Sequence, residues 1–135
     1  MSFAAAVINI PTHGDVEGLL GVLESNSSVP FEIKRVYFIY GVPSGTSRGS
    51  HGHKNLQQLI IPLAGSFDVV LHNGSVEEKF PLASPNKGLL LQPGLWRNLI
   101  NFSSDAVCLV LASEHYDESD YIRDFDEFMQ WVTNR

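Results

Sequence analysis

The sequence has a single cysteine, few basic residues and no long apolar run, and each shortage excludes a class of protein. Cys108 cannot form a disulfide within the chain, and its place in the apolar run Val107–Leu111 favours a small buried side chain over a nucleophile. Nine Lys and Arg against fifteen Asp and Glu give a net charge of −6. Without a basic cluster, nucleic-acid binding is not expected, although a few local arginines suffice for a small anion.

Membrane insertion and export are not expected either. No apolar stretch approaches the ~18 residues that a membrane-spanning helix needs. The N-terminal segment Met1–Pro11 has no basic start and is too short for a signal peptide. A chain without a disulfide suits the reducing cytoplasm, so we expect a cytoplasmic protein.

What is present is the composition of one globular domain. The chain has 135 residues, of which 44% are hydrophobic and 18% are charged, so we expect a single domain over residues 1–135. Short apolar or alternating runs separated by turn residues predict strands. They are Ile33–Tyr40, Leu56–Leu63, Phe67–His72, Val76–Leu82, Gly88–Gln92, Trp96–Phe102 and Ala106–Ala112. Asn73-Gly74 between two of them is a strong hairpin signal.

Only the C-terminal part of the chain has a helical pattern. Apolar residues recur at a spacing of three to four from Tyr121 to Val132, and Ser119 or Asp120 is the candidate cap. Gly14–Leu23 fits either a strand pair or a short helix. Many strands with one terminal helix predict an all-β fold, a jelly-roll barrel or sandwich whose lumen is a ready pocket.

Two histidines in a fixed frame are the strongest chemical signal. The frame is Gly45, five residues, His51-Gly52-His53, four residues, Gln58, six residues, Gly65. Side chains two apart on extended backbone share a face, so two imidazoles lie side by side, either to hold a metal or to move protons. The frame resembles the first motif of the cupin superfamily, with Gln58 in place of the usual glutamate. An amide is a poor ligand for a hard cation, so we expect acid–base chemistry without a metal or cofactor.

Four segments in order make the resemblance more specific. They are Lys34-Arg35-Val36-Tyr37, Arg48-Gly49-Ser50-His51-Gly52-His53-Lys54, Phe102-Ser103-Ser104-Asp105 and the stretch Leu111–Arg123. Together they resemble the sugar 3,4-ketoisomerases, cupins that act on dTDP-4-oxo-6-deoxyglucose and are related to RmlC-type epimerases. The resemblance covers roughly Val29 to Trp131. It implies a cofactor-free tautomerisation, in which a base removes the C-3 proton, an enediol forms, and a proton returns at C-4.

The resemblance also implies roles for three catalytic candidates. His51 is the expected base, because the first histidine of this motif has that role in the family. His53 would orient His51, relay a proton or donate to a substrate oxygen. Tyr37 would donate to the C-4 oxygen or shuttle the proton. An imidazole can exchange a proton near neutral pH, and a phenol can donate a hydrogen bond to an oxyanion.

The expected substrate-binding residues are Arg35, Arg48, Gln58, Trp96 and Arg97. Arg48 would pair with the diphosphate of a dTDP-linked sugar, and Arg35 would do the same or form a structural ion pair. Strict alternation from His53 places Gln57 rather than Gln58 on its face, unless the chain turns at Lys54-Asn55. The partners expected are the sugar nucleotide and a second copy of the chain. In the resulting homodimer, the apolar segment Phe3–Ile10 would supply an exchanged strand.

Two departures from the family pattern leave other functions open. Trp96-Arg97 stands where the family usually has Trp-His, so a proton-exchanging group is replaced by a permanent cation. Glu17, in Asp15-Val16-Glu17-Gly18, stands where the family usually has arginine. We expect a shifted substrate position, with Arg97 replacing lost charge, or a related activity. The alternatives are a non-catalytic sugar-nucleotide-binding cupin and, less favoured by the ligands available, a metal-dependent cupin.

Overall fold

The structure, a computed structural model, describes residues 4–135. Twelve strands and one α-helix are present in this part of the chain. The strands are β1 (Ala5–Asn9), β2 (Thr12–Asp15), β3 (Gly18–Gly21), β4 (Arg35–Tyr40), β5 (Arg48–His53), β6 (Gln58–Ala64), β7 (Phe67–His72), β8 (Glu77–Leu82), β9 (Lys87–Leu91), β10 (Trp96–Ile100), β11 (Val107–Ala112) and β12 (Tyr121–Ile122). A 3₁₀ turn spans Glu118–Asp120, and helix α1 spans Phe125–Asn134.

Two five-stranded antiparallel sheets form the framework. The first has the order β1-β9-β6-β11-β4 and the second the order β12-β5-β10-β7-β8. Strands β2 and β3 form a separate hairpin. Non-consecutive strands are neighbours in both sheets, as in the jelly roll expected from the sequence. This confirms the all-β prediction.

The main core lies between the two sheets. Its buried side chains alternate along strands of both sheets, with Ile60, Leu89 and Val110 from the first and Val69 and Leu99 from the second. Cys108 belongs to this cluster and is fully buried, as its apolar run predicts. A second, smaller cluster covers the outer face of the first sheet and includes Val29 and Phe31.

Several local predictions are confirmed. The Asn73-Gly74 hairpin joins β7 to β8, and the Asn73 carboxamide accepts hydrogen bonds from the backbone N–H groups of Ser75 and Val76. The predicted strand Ala106–Ala112 is observed as β11, which is flanked by β4 and β6. The ambiguous segment Gly14–Leu23 belongs to the β2–β3 hairpin, which is the strand alternative.

The start of the terminal helix is a correction. The helix does not begin at Ser119 or Asp120, because Asp120 ends the 3₁₀ turn and Tyr121–Ile122 then pairs with β5 as a strand. Helix α1 begins after Asp124 and buries Phe128. No helix in residues 4–135 is both long and apolar enough to cross a membrane.

Candidate active site

One cavity of about 570 Å³ lies where strand β4, at the edge of the first sheet, approaches β5 and β12, at the edge of the second. Its volume is in the range of small-molecule sites. The cavity is lined by Arg35, Tyr37, Phe38, Ile39, Arg48, Gly49, Ser50, His51, Arg97, Tyr116, Tyr121 and Arg123. Strand alternation explains why Arg35, Tyr37 and Ile39 line it together, since they share the inward face of β4, whereas Phe38 of the same strand faces outward and lies at the rim.

The two imidazoles lie side by side at the inner end of this cavity. The ring centroids of His51 and His53 are 4.7 Å apart, in an edge-to-face arrangement. Tyr121 covers both, with its ring centroid 4.9 Å from that of His51 and 4.4 Å from that of His53. The Nε2 atoms of both histidines are buried and have no hydrogen-bond partner among the described residues.

His53 has a partner on its other ring nitrogen. Its Nδ1 lies 3.0 Å from Oδ2 of Asp120. The second carboxylate oxygen of Asp120 accepts a hydrogen bond from the backbone N–H of Asn55 at 2.7 Å. This contact exists because β12 pairs with the end of β5, with Tyr121 opposite His53.

Both imidazoles are neutral at physiological pH. Burial, reinforced by the charge of Arg97, lowers the pKa of His51 from 6.5 to about 2. Burial and the charges of Arg97, Arg35 and Arg123 lower the pKa of His53 to about 3. Loss of hydration disfavours the imidazolium, and nearby guanidinium groups repel it. The site therefore offers nitrogen lone pairs rather than cations at these two positions.

A buried cluster of Tyr37, Gln58 and Arg97 forms the adjoining wall. Arg97 donates from Nη1 to Gln58 Oε1 at 2.8 Å and from Nη2 to the Tyr37 hydroxyl at 3.1 Å. Gln58 Nε2 also donates to the Tyr37 hydroxyl at 3.1 Å. Gly49 makes room for the guanidinium, since its φ is 71° and a Cβ there would lie 3.1 Å from Arg97 Nη2.

Arg97 is an uncompensated cation. The residue is 2% exposed, and none of the ion pairs among residues 4–135 includes it. Its Nε atom is buried without a hydrogen-bond partner in the same part of the chain. A buried charge is costly unless an opposite charge pairs with it. The arrangement favours a bound anion, or an anion that develops during a reaction, next to the imidazoles.

Aromatic rings and arginines form the rim of the cavity. The Arg35 guanidinium lies 5.4 Å from the Tyr37 ring and 5.5 Å from the Tyr116 ring, and Arg123 lies 4.4 Å above the Tyr121 ring. Arg123 also donates two hydrogen bonds to the exposed carboxylate of Glu118. That contact, followed by a hydrogen bond from Tyr116, lowers the pKa of Glu118 to about 2. The rim thus presents several cations to an entering ligand.

Residues 4–133 match the family described as "FdtA: WxcM-like, C-terminal". This chain belongs to that family. It is 43% identical over 126 residues to the TDP-4-oxo-6-deoxy-alpha-D-glucose-3,4-oxoisomerase of Aneurinibacillus thermoaerophilus, covering 93% of this chain and 91% of the relative.

Solved structures of relatives agree with the match to the WxcM-like family. The 3,4-ketoisomerase QdtA from Thermoanaerobacterium thermosaccharolyticum, solved with TDP, has a TM-score of 0.97 and 39% identity, with 100% of this chain and 98% of that chain covered. A histidine-to-asparagine mutant of the same enzyme, solved with TDP-4-keto-6-deoxyglucose, has a TM-score of 0.97 and 38% identity over the same shares. These neighbours fix the fold and the family.

Within this WxcM-like domain, most of the predicted site residues meet at the cavity. His51, Tyr37, Arg35, Arg48 and Arg97 line it. His53 and Gln58 lie directly behind this lining, in contact with it. Gln58 is 1% exposed, so the chain does turn between β5 and β6 and reset the alternation.

Trp96 is not brought to the cavity, which corrects its predicted place beside the substrate. Neighbouring residues of a strand face opposite ways, and Arg97 is the inward one of this pair. The Trp96 ring instead packs against Phe125 and Phe128 of helix α1, with centroids 5.4 and 5.8 Å away. Glu17 lies in the turn of the exposed β2–β3 hairpin and is not part of the cavity lining.

Sequence reasoning missed the contribution of the segment Tyr116–Arg123. The helical pattern makes Asp120 a candidate helix cap and Tyr121 a residue of the helix, yet Asp120 contacts His53 and Tyr121 covers both imidazoles. The signal that locates the helix correctly is Asp124 followed by Glu127, a cap residue with an acidic residue three positions later. A helix that begins after Asp124 does not include residues 116–123, so these residues can contact the cavity and the two histidines.

Metal ligands are the remaining question for a cupin. Among the described residues, no group of three or more His, Cys, Asp or Glu side chains is arranged to hold an ion.

Proposed function

We propose that this protein is a sugar-nucleotide 3,4-ketoisomerase that converts dTDP-4-oxo-6-deoxyglucose to the 3-keto sugar without a cofactor. The observation that carries the proposal is a neutral, buried His51 lining a cavity that also contains an uncompensated buried cation, Arg97. A base and an oxyanion partner are what the tautomerisation needs, and the family match supplies the substrate class.

The proposed reaction conserves every atom of the sugar. His51 takes the proton from C-3, and the electron pair of that C–H bond forms the C-3–C-4 double bond while the C-4 carbonyl oxygen becomes an oxyanion. The C-3 hydroxyl then passes its proton to the C-4 oxyanion as the C-3 oxygen becomes the carbonyl, and C-4 receives a proton on carbon that balances the one His51 removed from C-3. The negative charge of the enediolate favours the imidazolium formed on His51, which burial and the charge of Arg97 otherwise disfavour.

Tyr37 is proposed to donate to the oxyanion. A phenol oxygen has two acceptor sites, and hydrogen bonds from Arg97 and Gln58 use both. Its own O–H is therefore left to donate, and Tyr37 lines the cavity in which the sugar would lie. Arg97 adds positive charge to the same wall, which lowers the energy of the enediolate.

The arginines on the rim are proposed to bind the diphosphate. Arg35, Arg48 and Arg123 line the outer part of the cavity. Guanidinium groups bind phosphate oxygens in paired hydrogen bonds, and a thymine base can stack on the exposed tyrosines. Tyr116, which is 59% exposed, is the rim ring best placed for such stacking.

Isotope exchange tests the reaction directly. Incubation with dTDP-4-oxo-6-deoxyglucose in deuterated buffer should give deuterium at the sugar carbons and a 3-keto product by NMR. His51→Asn should lose both while still binding the nucleotide. Saturable binding by the unaltered protein with no exchange and no product would instead favour a non-catalytic sugar-nucleotide-binding cupin.

We further propose that the single cupin domain, residues 1–135, forms a homodimer. Apolar side chains on the outward face of edge strand β4 are unusually exposed, with Val36 at 55%, Phe38 at 61% and Tyr40 at 69%. The hairpin residues Leu19 and Leu20 are also exposed, at 79% and 61%. An apolar patch of this kind is typical of a subunit interface.

The dimer has its own test. Sedimentation at micromolar concentration should give twice the chain mass of 14.9 kDa. Phe38→Glu should shift the mass to the monomer, whereas Val76→Glu, an exposed apolar residue beside the β7–β8 turn, should not. An unaltered protein that sediments as a monomer would contradict the proposal. Strand β1 pairs with β9 of its own chain here, and Phe3 of the proposed exchange segment lies outside the described residues.

A cytoplasmic location is proposed on chemical grounds. The proposed substrate of the protein is an activated sugar. The buried Cys108 is a free thiol, and thiols remain reduced in the cytoplasm. Fractionation of cells that produce the protein should place it with cytoplasmic markers.

A further inference from the structure

The imidazole of His53 is held by a carboxylate from 67 residues further along the chain. The His53 side chain is buried, with 6% exposed, and that of Asp120 is partly buried, with 12% exposed. Asp120 is itself fixed, because its Oδ1 accepts from the Asn55 backbone N–H and its backbone carbonyl accepts from the Lys54 N–H at 3.1 Å. The carboxylate therefore cannot move away from His53 without breaking the connection that follows β5.

The chemistry of the two groups determines where the proton of His53 lies. A neutral imidazole has one N–H, and a carboxylate only accepts. At a separation of 3.0 Å the proton must be on Nδ1, so Nε2 carries a lone pair. That Nε2 atom is buried and has no partner in the described part of the chain.

We infer that Asp120 is a positioning residue that holds His53 as the Nδ1–H tautomer and leaves its Nε2 as a bare acceptor beside His51. The catalytic consequence rests on the proposed function. Of the roles considered for His53, donation to a substrate oxygen is excluded in the resting site, since its free nitrogen carries no proton. Orienting His51 and accepting a proton from it remain. Carboxylates that bind the far nitrogen of a working histidine act in this way in many enzymes.

An asparagine at position 120 tests the inference because an amide cannot satisfy both of its neighbours. The reverse orientation of the amide would set its NH₂ against the Asn55 N–H, donor against donor, where Asp120 now accepts at 2.7 Å. The amide oxygen therefore remains there, and the amide NH₂ faces His53 Nδ1. A donor at that point requires a lone pair on Nδ1, so the proton moves to Nε2. Asp120→Asn should switch the tautomer of His53 while keeping the backbone connection.

The experiment is long-range ¹H–¹⁵N NMR of the full, substrate-free chain labelled with ¹⁵N-histidine at neutral pH. The signals of His53 are identified by their loss in His53→Gln. We expect protonated Nδ1 and bare Nε2 in the unaltered protein, and protonated Nε2 in Asp120→Asn. Asp124→Asn is the matched control, because Asp124 is exposed, lies in the same segment and makes no side-chain cap hydrogen bond. A protonated Nε2 in the unaltered protein, no change in Asp120→Asn, or the same change in Asp124→Asn would overturn the inference.

Turnover separates positioning from a merely structural role. With dTDP-4-oxo-6-deoxyglucose we expect kcat to fall ~10–100-fold in Asp120→Asn, with a smaller change in KM. This is the range found when a functional histidine loses the carboxylate that binds its other ring nitrogen. A switched tautomer with unchanged kcat would overturn the positioning role. If the unaltered protein exchanges no deuterium, the proposed function fails, and the NMR result still decides the tautomer.

Discussion

Tyr37→Phe removes a single oxygen atom from the cavity and therefore tests the proposed oxyanion donor directly. That oxygen accepts hydrogen bonds from Arg97 Nη2 and Gln58 Nε2, both at 3.1 Å. Because both acceptor sites of the Tyr37 oxygen are in use, the hydroxyl can interact with the sugar only by donating its proton in a hydrogen bond. The substitution deletes this donor and leaves the ring, the strand and the two histidines in place.

The hydrogen bonds lost in Tyr37→Phe set the expected changes in kcat, KM and the free energy of unfolding. Loss of one preorganised oxyanion donor lowers kcat by ~10²–10³-fold, or ~2.7–4 kcal/mol. KM should change less, because the hydrogen bond strengthens as the oxyanion forms. The free energy of unfolding should fall by ~1–3 kcal/mol, since a buried amide N–H of Gln58 and an N–H of Arg97 lose their acceptor.

The assay measures 3-keto product and deuterium uptake by NMR over a range of substrate concentrations, together with urea unfolding. Tyr40→Phe is the matched control, because Tyr40 lies on the same strand but faces outward and is 69% exposed. It should leave kcat unchanged. A folded Tyr37→Phe protein with kcat within ~3-fold of the unaltered enzyme would refute the donor role, since the expected loss is ~10²-fold or more.

The remaining predictions concern pH, charge and the thiol. The pKa values of His51 and His53 are about 2 and about 3 in the folded chain but 6.5 when unfolded, so the unfolded chain binds more protons below that value. Stability should therefore fall as the pH drops from about 6.5 towards 3, by ~1.4 kcal/mol per pH unit for each ring. Urea unfolding at several pH values measures this, and His51→Asn should reduce the slope; an unaltered slope would count against the shift. Gln58→Glu should lower kcat ~10²-fold without loss of stability, because a carboxylate pairs with the Arg97 guanidinium and accepts the hydrogen bond of the Tyr37 O–H, which is then no longer available to the sugar oxygen; steady-state kinetics that match the unaltered enzyme would contradict this. Burial raises the pKa of Cys108 to about 12, so a thiol reagent should label it only after unfolding. Rapid labelling of the folded chain would show that the thiol is accessible.

Local patterns in the sequence determined the elements that depend on near neighbours. Seven of the ten strands in the two main sheets, β4 and β6 to β11, and the Asn73-Gly74 hairpin follow from side-chain alternation and turn chemistry, which act over a few residues. The placement of His51 and His53 two apart on one strand likewise puts both rings at one site. The order of the motifs along the chain then pointed to the family that the comparisons confirm.

Only the tertiary structure decided which distant residues complete the site. Tyr37, Gln58 and Arg97 come from strands β4, β6 and β10, which belong to two different sheets, and they meet through hydrogen bonds that no sequence period records. Asp120 reaches His53 because residues 121–122 pair with β5 instead of starting a helix. The helical spacing of apolar residues could not reveal this. A segment pairs with a sheet edge where the edge strand still has backbone N–H and C=O groups without partners. Which strand lies at the edge depends on the whole fold.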